Sequence, residues 1–431
     1  MRWYIAIFFV LILAGGVCAS VDYASVDPVA EIRGIWIDAG AIPKTESAIR
    51  DIVRGYARAN FNVLIPETIC RGYAIYPSQV IPRDPRFAGA IDPLPVMIDE
   101  AHKLGLEVHA WVWVFRAGYT KDKGAILTAH PDWAEQDKDG EELSPNGGYW
   151  ISPANGQARD FLAELYAEVV TKYGFDGLHL DYVRYETEEK KPYGYCEASR
   201  NLFIKQYGVD PNGIERDSDG YYYWNKFRER LVNTFVQRIY LQTKALRPDV
   251  MVSAAVSSYP PDARLHYMQN WPNWAANGWV GVLAPMSYSS DDGHFGRLIF
   301  RQKEAIGGTV MLAEGIGLYL QKDMTQTNAQ IAISREKCAQ GQIIFASSYV
   351  DQKHLDALKS GPYTTRVALP FRNVNATKAK FDELAQTARQ RGNGDLADYY
   401  SCATQAISDY INTKQPKPYV LPTPPPLPSR N

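Results

Sequence analysis

An acidic residue closes an apolar run in the middle of the chain. The run is residues 175–182, FDGLHLDY. Side chains alternate in direction along a strand, so its two leucines share one face while His179 and Asp181 share the other. A buried carboxylate without partners is costly, so Asp181 is either a paired structural acid or a site residue. Tyr182 and Arg184 follow it and are predicted to bind substrate, and Arg184 could hold the carboxylate ionised.

Two carboxyl groups at strand ends would suit glycoside hydrolysis, in which one acts as nucleophile or base and the other as acid. The partner of Asp181 is predicted to be Glu314, after the apolar run Met311-Leu312-Ala313, or else Glu67, after Leu64-Ile65-Pro66. We prefer Glu314. The alternative for each glutamate is a structural acid tied to a loop backbone or to an arginine such as Arg71, itself a candidate for binding substrate.

A second run, residues 107–113, repeats the alternation and places His109 and Trp111 on one face. Pointing inward near a site, these side chains could bind sugar hydroxyls and a ring face. The alternative is that they fill the protein interior. His109 and His179 are expected on adjacent strands, and this pairing favours a place for both in the site.

Aromatic residues make up 12% of the chain, with 28 Tyr and 10 Trp. Surplus rings can be core, but a flat ring also stacks on the apolar face of a pyranose. Tyr288 follows a predicted strand, and Trp133 lies in a long loop. Both are predicted to line a binding cleft.

The scaffold must bring these strand ends together. From residue 31 to about residue 360, short apolar runs alternate with longer amphipathic ones, which is typical of βαβ units. Eight strands are predicted, at residues 34–37, 62–66, 107–113, 177–181, 251–256, 280–286, 309–313 and 342–346. The prediction is an α/β fold, a (β/α)8 TIM barrel with long βα loops, whose site lies where the strands end. An open doubly wound sheet is the alternative, but no Gly-rich phosphate turn follows the first strand.

The chain divides into four predicted segments. Residues 1–19 read as a signal peptide, with Arg2, an apolar run and a small-residue cleavage site before Ser20, which predicts a secreted or periplasmic protein. Cys18 would permit lipid anchoring, but the residues before it fit a lipobox poorly, so we favour cleavage without lipidation. Residues 31–360 form the barrel, 365–412 a C-terminal helical extension and 413–431 a Pro-rich disordered tail.

Charge and composition argue against several classes of partner and cofactor. The net charge of −2 and the absence of a basic stripe argue against nucleic acid, and the leader's apolar run is too short for a membrane span. The seven His are scattered, so neither a metal nor another cofactor is expected.

Four cysteines remain after the leader, and Cys70 and Cys196, expected on the same barrel face, are a candidate disulfide; four buried thiols are the alternative. Oligomeric state stays open.

Several segments together resemble one family, the glycosyl hydrolase-like 10 group of bacterial barrel proteins. The segments are RGIW at 33–36, FNVL at 61–64, residues 72–78 ending in YPS, GLEVHAW at 105–111, HPDW at 130–133 and FDGLHLDY at 175–182. The resemblance implies a barrel hydrolase of the envelope or exterior, with some members acting on peptidoglycan glycan strands. It supports Asp181, His109, Trp111 and His179 as site residues, because these match the motifs directly.

The chain also departs from that family. An amide usually stands where this sequence has Glu67, and no acid usually stands at Glu314. The run Val112-Trp113-Val114-Phe115 replaces a commoner Asn-Pro-aromatic run. The interpretation is therefore a secreted glycoside hydrolase that cleaves a polysaccharide through a carboxylate pair centred on Asp181, and the resemblance implies peptidoglycan glycan strands as the candidate polysaccharide. A non-catalytic carbohydrate-binding barrel and an enzyme of another class are the alternatives.

Overall fold

Eight parallel strands close into a barrel, which confirms the predicted (β/α)8 architecture. The computed structural model describes residues 30–188, 191–370 and 374–392, with isolated residues between 394 and 408. The strands are β1 Ile32–Ile37, β2 Val63–Cys70, β3 Tyr73–Ala74, β4 Glu107–Trp113, β5 Arg116–Tyr119, β6 Gly148–Trp150, β7 Gly177–Asp181, β8 Met251–Ser257, β9 Val282–Met286, β10 Met311–Gly317 and β11 Gly341–Phe345. The barrel order is β1-β2-β4-β7-β8-β9-β10-β11, and β1 closes it by pairing with both β2 and β11.

Helices surround the barrel and cover its outer face. They are α1 Glu46–Arg58, α2 Pro93–Lys103, α3 Ala125–Ala129, α4 Gly156–Lys172, α5 Glu197–Tyr207, α6 Asp219–Leu246, α7 Pro260–Tyr267, α8 Trp271–Ala276, α9 Asp292–Ile306, α10 Met324–Glu336, α11 Gln352–Ser360 and α12 Val374–Gln390. Side-chain caps start several of them. Asp92 accepts from Leu94 N at α2, and Asn155 accepts from Ala158 N at α4. Both helices then bury apolar faces against the strands.

Two long excursions rise from the carboxyl end of the barrel. After β4, the region predicted as a loop holds the antiparallel hairpin β5–β6 and the short helix α3. After β7, α5 and the first turns of α6 enclose a small core of their own, formed by Tyr195, Phe203, Ile214, Tyr221, Trp224 and Phe227. These excursions are the predicted long βα loops, and they stand over the end of the barrel that carries Asp181.

The segment after α11 packs on the opposite end of the barrel. Arg33 of β1 donates to Thr365 O at 2.7 Å, Glu31 N donates to Ala368 O at 3.0 Å, and Arg366 reaches Leu104 O at 3.4 Å. Helix α12 then follows. The domain limits at residues 360, 365 and 412 stay predictions, and the predicted signal peptide and Pro-rich tail lie outside the described residues. Within the part of the chain that is described, no helix is both long and apolar enough to cross a membrane.

The predicted pairing of Cys70 with Cys196 is wrong. Both are buried free thiols. Arg86 Nη2 lies 3.1 Å from Cys70 Sγ, while Cys196 Sγ lies 3.1 Å from Ser152 Oγ. Each sulfur is thus held in its own loop. Cys338 is free and exposed, whereas Cys402 lies outside the described residues.

Candidate active site

Asp181 is the last residue of β7 and lies at the mouth of the barrel. Trp111 Nε1 donates to its Oδ2 at 3.0 Å, and Tyr182 N donates to its Oδ1 at 2.6 Å. Tyr182 adopts φ +50°, a left-handed conformation that is unusual for a non-glycine residue and is concentrated at functional sites. Burial raises the pKa of Asp181, while the Tyr182 amide, the Arg184 charge and Trp111 oppose that rise. The carboxylate is therefore held in a fixed orientation.

The barrel interior directly below Asp181 is filled by a neutral imidazole. His179 Nε2 accepts from Trp36 Nε1 at 3.0 Å, so its proton lies on Nδ1, which is 2.8 Å from Ser253 Oγ. Burial lowers the pKa of His179 to about 3. Both ring nitrogens are engaged in hydrogen bonds, so His179 has a packing role and does not transfer protons.

His109 lies one layer deeper. It is in register with Gly177, two residues before His179 on β7, and its Nε2 is 3.0 Å from Glu107 Oε2. A Cβ at Gly177 would come within 2.4 Å of the His109 ring, so only glycine fits there. The two histidines do lie on adjacent strands, as predicted. However, they stack under Asp181 instead of lining the mouth.

Glu67 faces the same interior from β2. It is in register with Trp111, and paired residues of neighbouring strands point to the same side. Its Oε2 accepts from Ala39 N at 3.0 Å, while Oε1 has no hydrogen-bond partner among the described residues. Burial raises the pKa of Glu67 to about 7, with further rises from the charges of Asp38 and Asp181 and an opposing effect of Arg86. Glu67 and Asp181 are thus electrostatically coupled across Trp111.

Glu314 does not close its strand, because β10 continues to Gly317. The prediction took Glu314 for a strand end, but it points away from the mouth. Ser287 Oγ donates to its Oε2 at 2.8 Å and in turn accepts from Gln302 of the outer helix α9 at 2.9 Å. Glu314 is fully buried, and burial raises its pKa to about 8. Its neighbours Gly315 and Gly317 face the interior instead, against Tyr288.

One side of the mouth combines arginines with aromatic rings. Arg116 lies 4.4 Å from the Tyr119 ring centroid and 5.0 Å from that of Tyr182, and Arg184 lies 5.4 Å from Tyr182. Both cations lower the pKa of Asp181. Sequence reasoning missed Arg116, because it begins a strand of the hairpin that was predicted as a loop. The Trp113-Val114-Phe115-Arg116 run at the end of β4 is the feature that could have pointed to it.

The other side of the mouth is lined by a row of aromatic rings. Tyr288 stacks on Phe345 with centroids 5.2 Å apart, and Phe345 in turn contacts Trp36 at 6.0 Å. Tyr319 and Tyr349, about half exposed, continue the row outward with centroids 5.6 Å apart. Tyr288, predicted to line the cleft, lies in this row; burial raises its pKa, and the charge of Asp181 adds to the rise. Trp36 and Phe345 were missed, although strand parity at Trp36 could have revealed it.

Two predicted cleft residues lie elsewhere. Trp133 is buried, stacks on His130 with centroids 3.8 Å apart and packs on Phe161 of α4 at 5.4 Å, so it anchors its loop. Arg71 forms an ion pair with Asp122 at 2.9 Å. Its charge therefore has a protein partner in the segment after β5, and among the described residues no hydrogen bond or ion pair joins it to Asp181.

The arrangement of the carboxyl groups suits acid–base chemistry. Across the described part of the chain, no cluster of three His, Cys, Asp or Glu side chains could hold a metal ion. Two buried carboxyl groups with raised pKa values converge at one mouth, flanked by aromatic rings. Such a pair can supply a proton to one atom and a negative charge to another in the same bound molecule.

Comparison with known proteins finds a matching family. Residues 31–333 match the family described as Glycosyl hydrolase-like 10. The chain is 26% identical over 184 residues to the glycosyl hydrolase DigH of Escherichia coli, covering 36% of this chain and 40% of that protein. It is 26% identical over 269 residues to the glycosyl hydrolase YngK of Bacillus subtilis, covering 56% of this chain and 48% of that protein. The matches thus span less than half of each relative.

Solved structures share the fold. An α-L-fucosidase isoenzyme 2 from Paenibacillus thiaminolyticus has a TM-score of 0.57 at 17% identity, covering 78% of this chain and 49% of that one. The catalytic domain of a β-amylase from Paenibacillus polymyxa has a TM-score of 0.53 at 11% identity, covering 78% and 99%. At these identities the likeness concerns the barrel alone. With the family match extending from β1 into α10, the chain belongs to the glycosyl hydrolase-like 10 family.

Proposed function

We propose that this protein hydrolyses glycosidic bonds in a polysaccharide through the pair Asp181 and Glu67. The observation that carries the proposal is their placement. Both carboxyl groups are buried at the mouth, on strands separated only by β4, and Trp111 lies between them. Family membership supports the glycosidase class. Two carboxyl groups on either side of a bound sugar are what most glycoside hydrolases require.

The two acids suit different roles. With a pKa of about 7, Glu67 is protonated in a large fraction of molecules at neutral pH and can give a proton to the leaving glycosidic oxygen. Asp181 is held by two hydrogen bonds and lies near two arginines, all of which favour its ionised form. It can attack the anomeric carbon or activate a water molecule. A carboxyl separation of about 5 Å would favour retention, and one of about 6.5–9.5 Å inversion.

The proposed substrate is a peptidoglycan glycan strand, met after export. The sequence supports export through its signal-peptide-like leader, and the family resemblance supports the envelope substrate. The aromatic residues Tyr319, Tyr349 and Tyr119 are partly exposed around the mouth, where they can stack on successive sugar faces. A polymer rather than a single sugar suits so wide a set of rings.

Glycan release from purified peptidoglycan tests the proposal. Wild type and Asp181→Asn are incubated with sacculi, with and without stem peptides, and soluble fragments are quantified by chromatography. We expect release by wild type and a loss of at least about a hundredfold in the variant. Equal release by both would overturn the role of Asp181. Binding to sacculi with no release by wild type would favour the non-catalytic carbohydrate-binding barrel.

A further inference from the structure

We propose that Arg116 and Arg184 form a subsite for the carboxylate of an acidic sugar, immediately beside Asp181. The inference rests on the proposed function and assigns two of its specificity-determining residues. It also gives the bound glycan a direction, because only one side of the mouth carries these charges.

Both guanidinium groups pack against the same two rings. Arg116 lies 5.0 Å from the Tyr182 centroid and 5.9 Å from that of Trp150. Arg184 lies 5.4 Å and 5.5 Å from these rings and 4.5 Å from Tyr267. Aromatic packing fixes the plane and position of a guanidinium without using its hydrogen-bonding capacity. The two cations are therefore preorganised groups.

Neither cation has a protein acceptor in the part of the chain that the structure describes. No ion pair within 4.0 Å and no hydrogen bond joins Arg116 or Arg184 to another described residue. The nearby acids are already engaged: Asp181 accepts from Trp111 and Tyr182, and Glu186 accepts from Trp150 Nε1 at 3.1 Å and from Ser144 Oγ at 2.8 Å.

The nitrogen atoms divide into two sets. Nε of Arg116 and both Nε and Nη1 of Arg184 are sealed against the surrounding protein without a hydrogen bond. The remaining terminal nitrogens are not sealed and are the donors available to a ligand. The fully buried Arg33 and Arg228 are paired with glutamates, Arg33 with Glu31 at 2.8 Å and Arg228 with Glu188. Arg116 and Arg184 are partly exposed and act on Asp181 through their charge without a hydrogen bond, so they keep donors for a ligand.

The chemistry of that partner follows from the donors. Nη1 and Nη2 of Arg116 form an N–H pair that matches the two oxygens of a carboxylate, and Nη2 of Arg184 adds a further donor. Charge-assisted hydrogen bonds of this kind are stronger than neutral ones. The opposite side of the mouth, with Tyr288, Phe345 and Tyr319, offers ring faces and hydroxyls. A glycan that alternates acidic and neutral sugars would place an acidic residue on the arginine side and a neutral one on the tyrosine side.

Binding of two forms of one glycan tests the subsite. The probes are peptidoglycan glycan strands stripped of stem peptides, either with free sugar carboxylates or with these converted to methylamides. All variants carry Asp181→Asn, so that binding is read without hydrolysis. We expect Arg184→Gln and Arg116→Gln each to weaken binding of the carboxylate form by at least about tenfold, the effect of one charged hydrogen bond. Binding of the methylamide form should change little.

Two control variants test whether the loss of binding depends on the position of the charge and on the geometry of the donors. Arg297→Gln, an exposed arginine on the outer helix α9, removes the same charge away from the mouth and should leave both affinities unchanged. Arg116→Lys keeps the charge but loses the paired donors, and should recover only part of the binding. Thermal unfolding of each variant shows whether it remains folded.

The outcomes separate the two proposals. Equal loss of binding for both glycan forms would assign the arginines a structural role and overturn the subsite, as would equal affinity of the parent protein for the two forms. Failure to bind either form would contradict the proposed peptidoglycan substrate itself. A carboxylate preference that disappears in both glutamine variants would establish the subsite.

Discussion

Glu67 and Glu314 are both buried glutamates on barrel strands with raised pKa values, but their side chains lie in different parts of the molecule. Burial raises the pKa of Glu67 to about 7 and that of Glu314 to about 8. Glu67 faces the barrel interior beside Trp111, where the charge of Asp181 reaches it. Glu314 faces the helix layer, where Ser287 and Gln302 enclose it.

The difference shows that a raised pKa does not by itself locate an active site. Burial is the largest cause of the rise at both positions. What separates them is the direction of one Cα–Cβ bond, which sends one carboxyl toward a mouth open to ligands and the other into sealed packing. The comparison predicts that neutralising the two glutamates will have opposite consequences for activity and for stability.

The largest expected effect is on turnover. Glu67→Gln removes the proposed proton donor, so we expect glycan release to fall by about 10²–10⁴-fold. Glu314→Gln, which mimics the neutral carboxyl already favoured there, should keep activity within about twofold of wild type. In wild type, activity should decline as the pH rises above about 7, where Glu67 loses its proton. Comparable losses of glycan release in both variants would contradict the different roles assigned to the two glutamates.

A smaller effect is expected at Trp111, which touches Asp181 and lies beside Glu67. Trp111→Phe removes the donor to Asp181 Oδ2, and a hydrogen bond to a charged group contributes about 1.5–3 kcal/mol. We expect kcat/KM to fall by at least about tenfold and the acidic limb of the pH profile to move upward. Trp36→Phe, whose N–H goes to His179 rather than to a carboxylate, is the matched control. If the acidic limb of the pH profile does not move in Trp111→Phe, the role of Trp111 is packing alone.

The smallest effect should appear at Glu314, in stability rather than activity. Its pKa is raised from 4.5 to about 8 on folding, so its contribution to stability is full below about pH 4.5 and lost as the pH rises through 8. Between pH 5 and 8.5, wild type should lose thermal stability relative to Glu314→Gln by at least about 2 °C. Differential scanning fluorimetry across that pH range measures the melting temperature of both proteins. Melting temperatures that change in parallel with pH would contradict ionisation of a buried Glu314.

Much of the fold could be predicted because strand periodicity and barrel closure are local and repetitive signals. Each of the eight predicted strands overlaps a barrel strand, and parity correctly sends His179 and Asp181 to the interior. Asp181 was placed at the mouth because it ends an apolar run, and β7 does end there.

The failures have physical reasons too. Gly315 and Gly317 offered no apolar side chain to extend the predicted strand, so the predicted strand ended four residues before β10 does and Glu314 was mistaken for a mouth residue. Arg116 was overlooked because hairpin pairing with β6 depends on residues more than thirty positions away. The disulfide was wrong because loops that share one face of a barrel can still be far apart.

The histidine layers under Asp181 have a consequence for solvent. His179 and Trp36 are 0% and 2% exposed, and His109 with Ser253 is nearly as inaccessible, so the barrel is plugged beneath the carboxylate. Water cannot arrive from below once a sugar chain covers the opening. Any hydrolytic water must therefore enter together with the substrate or slip in beside it, and the timing of its arrival becomes part of how fast the site can turn over.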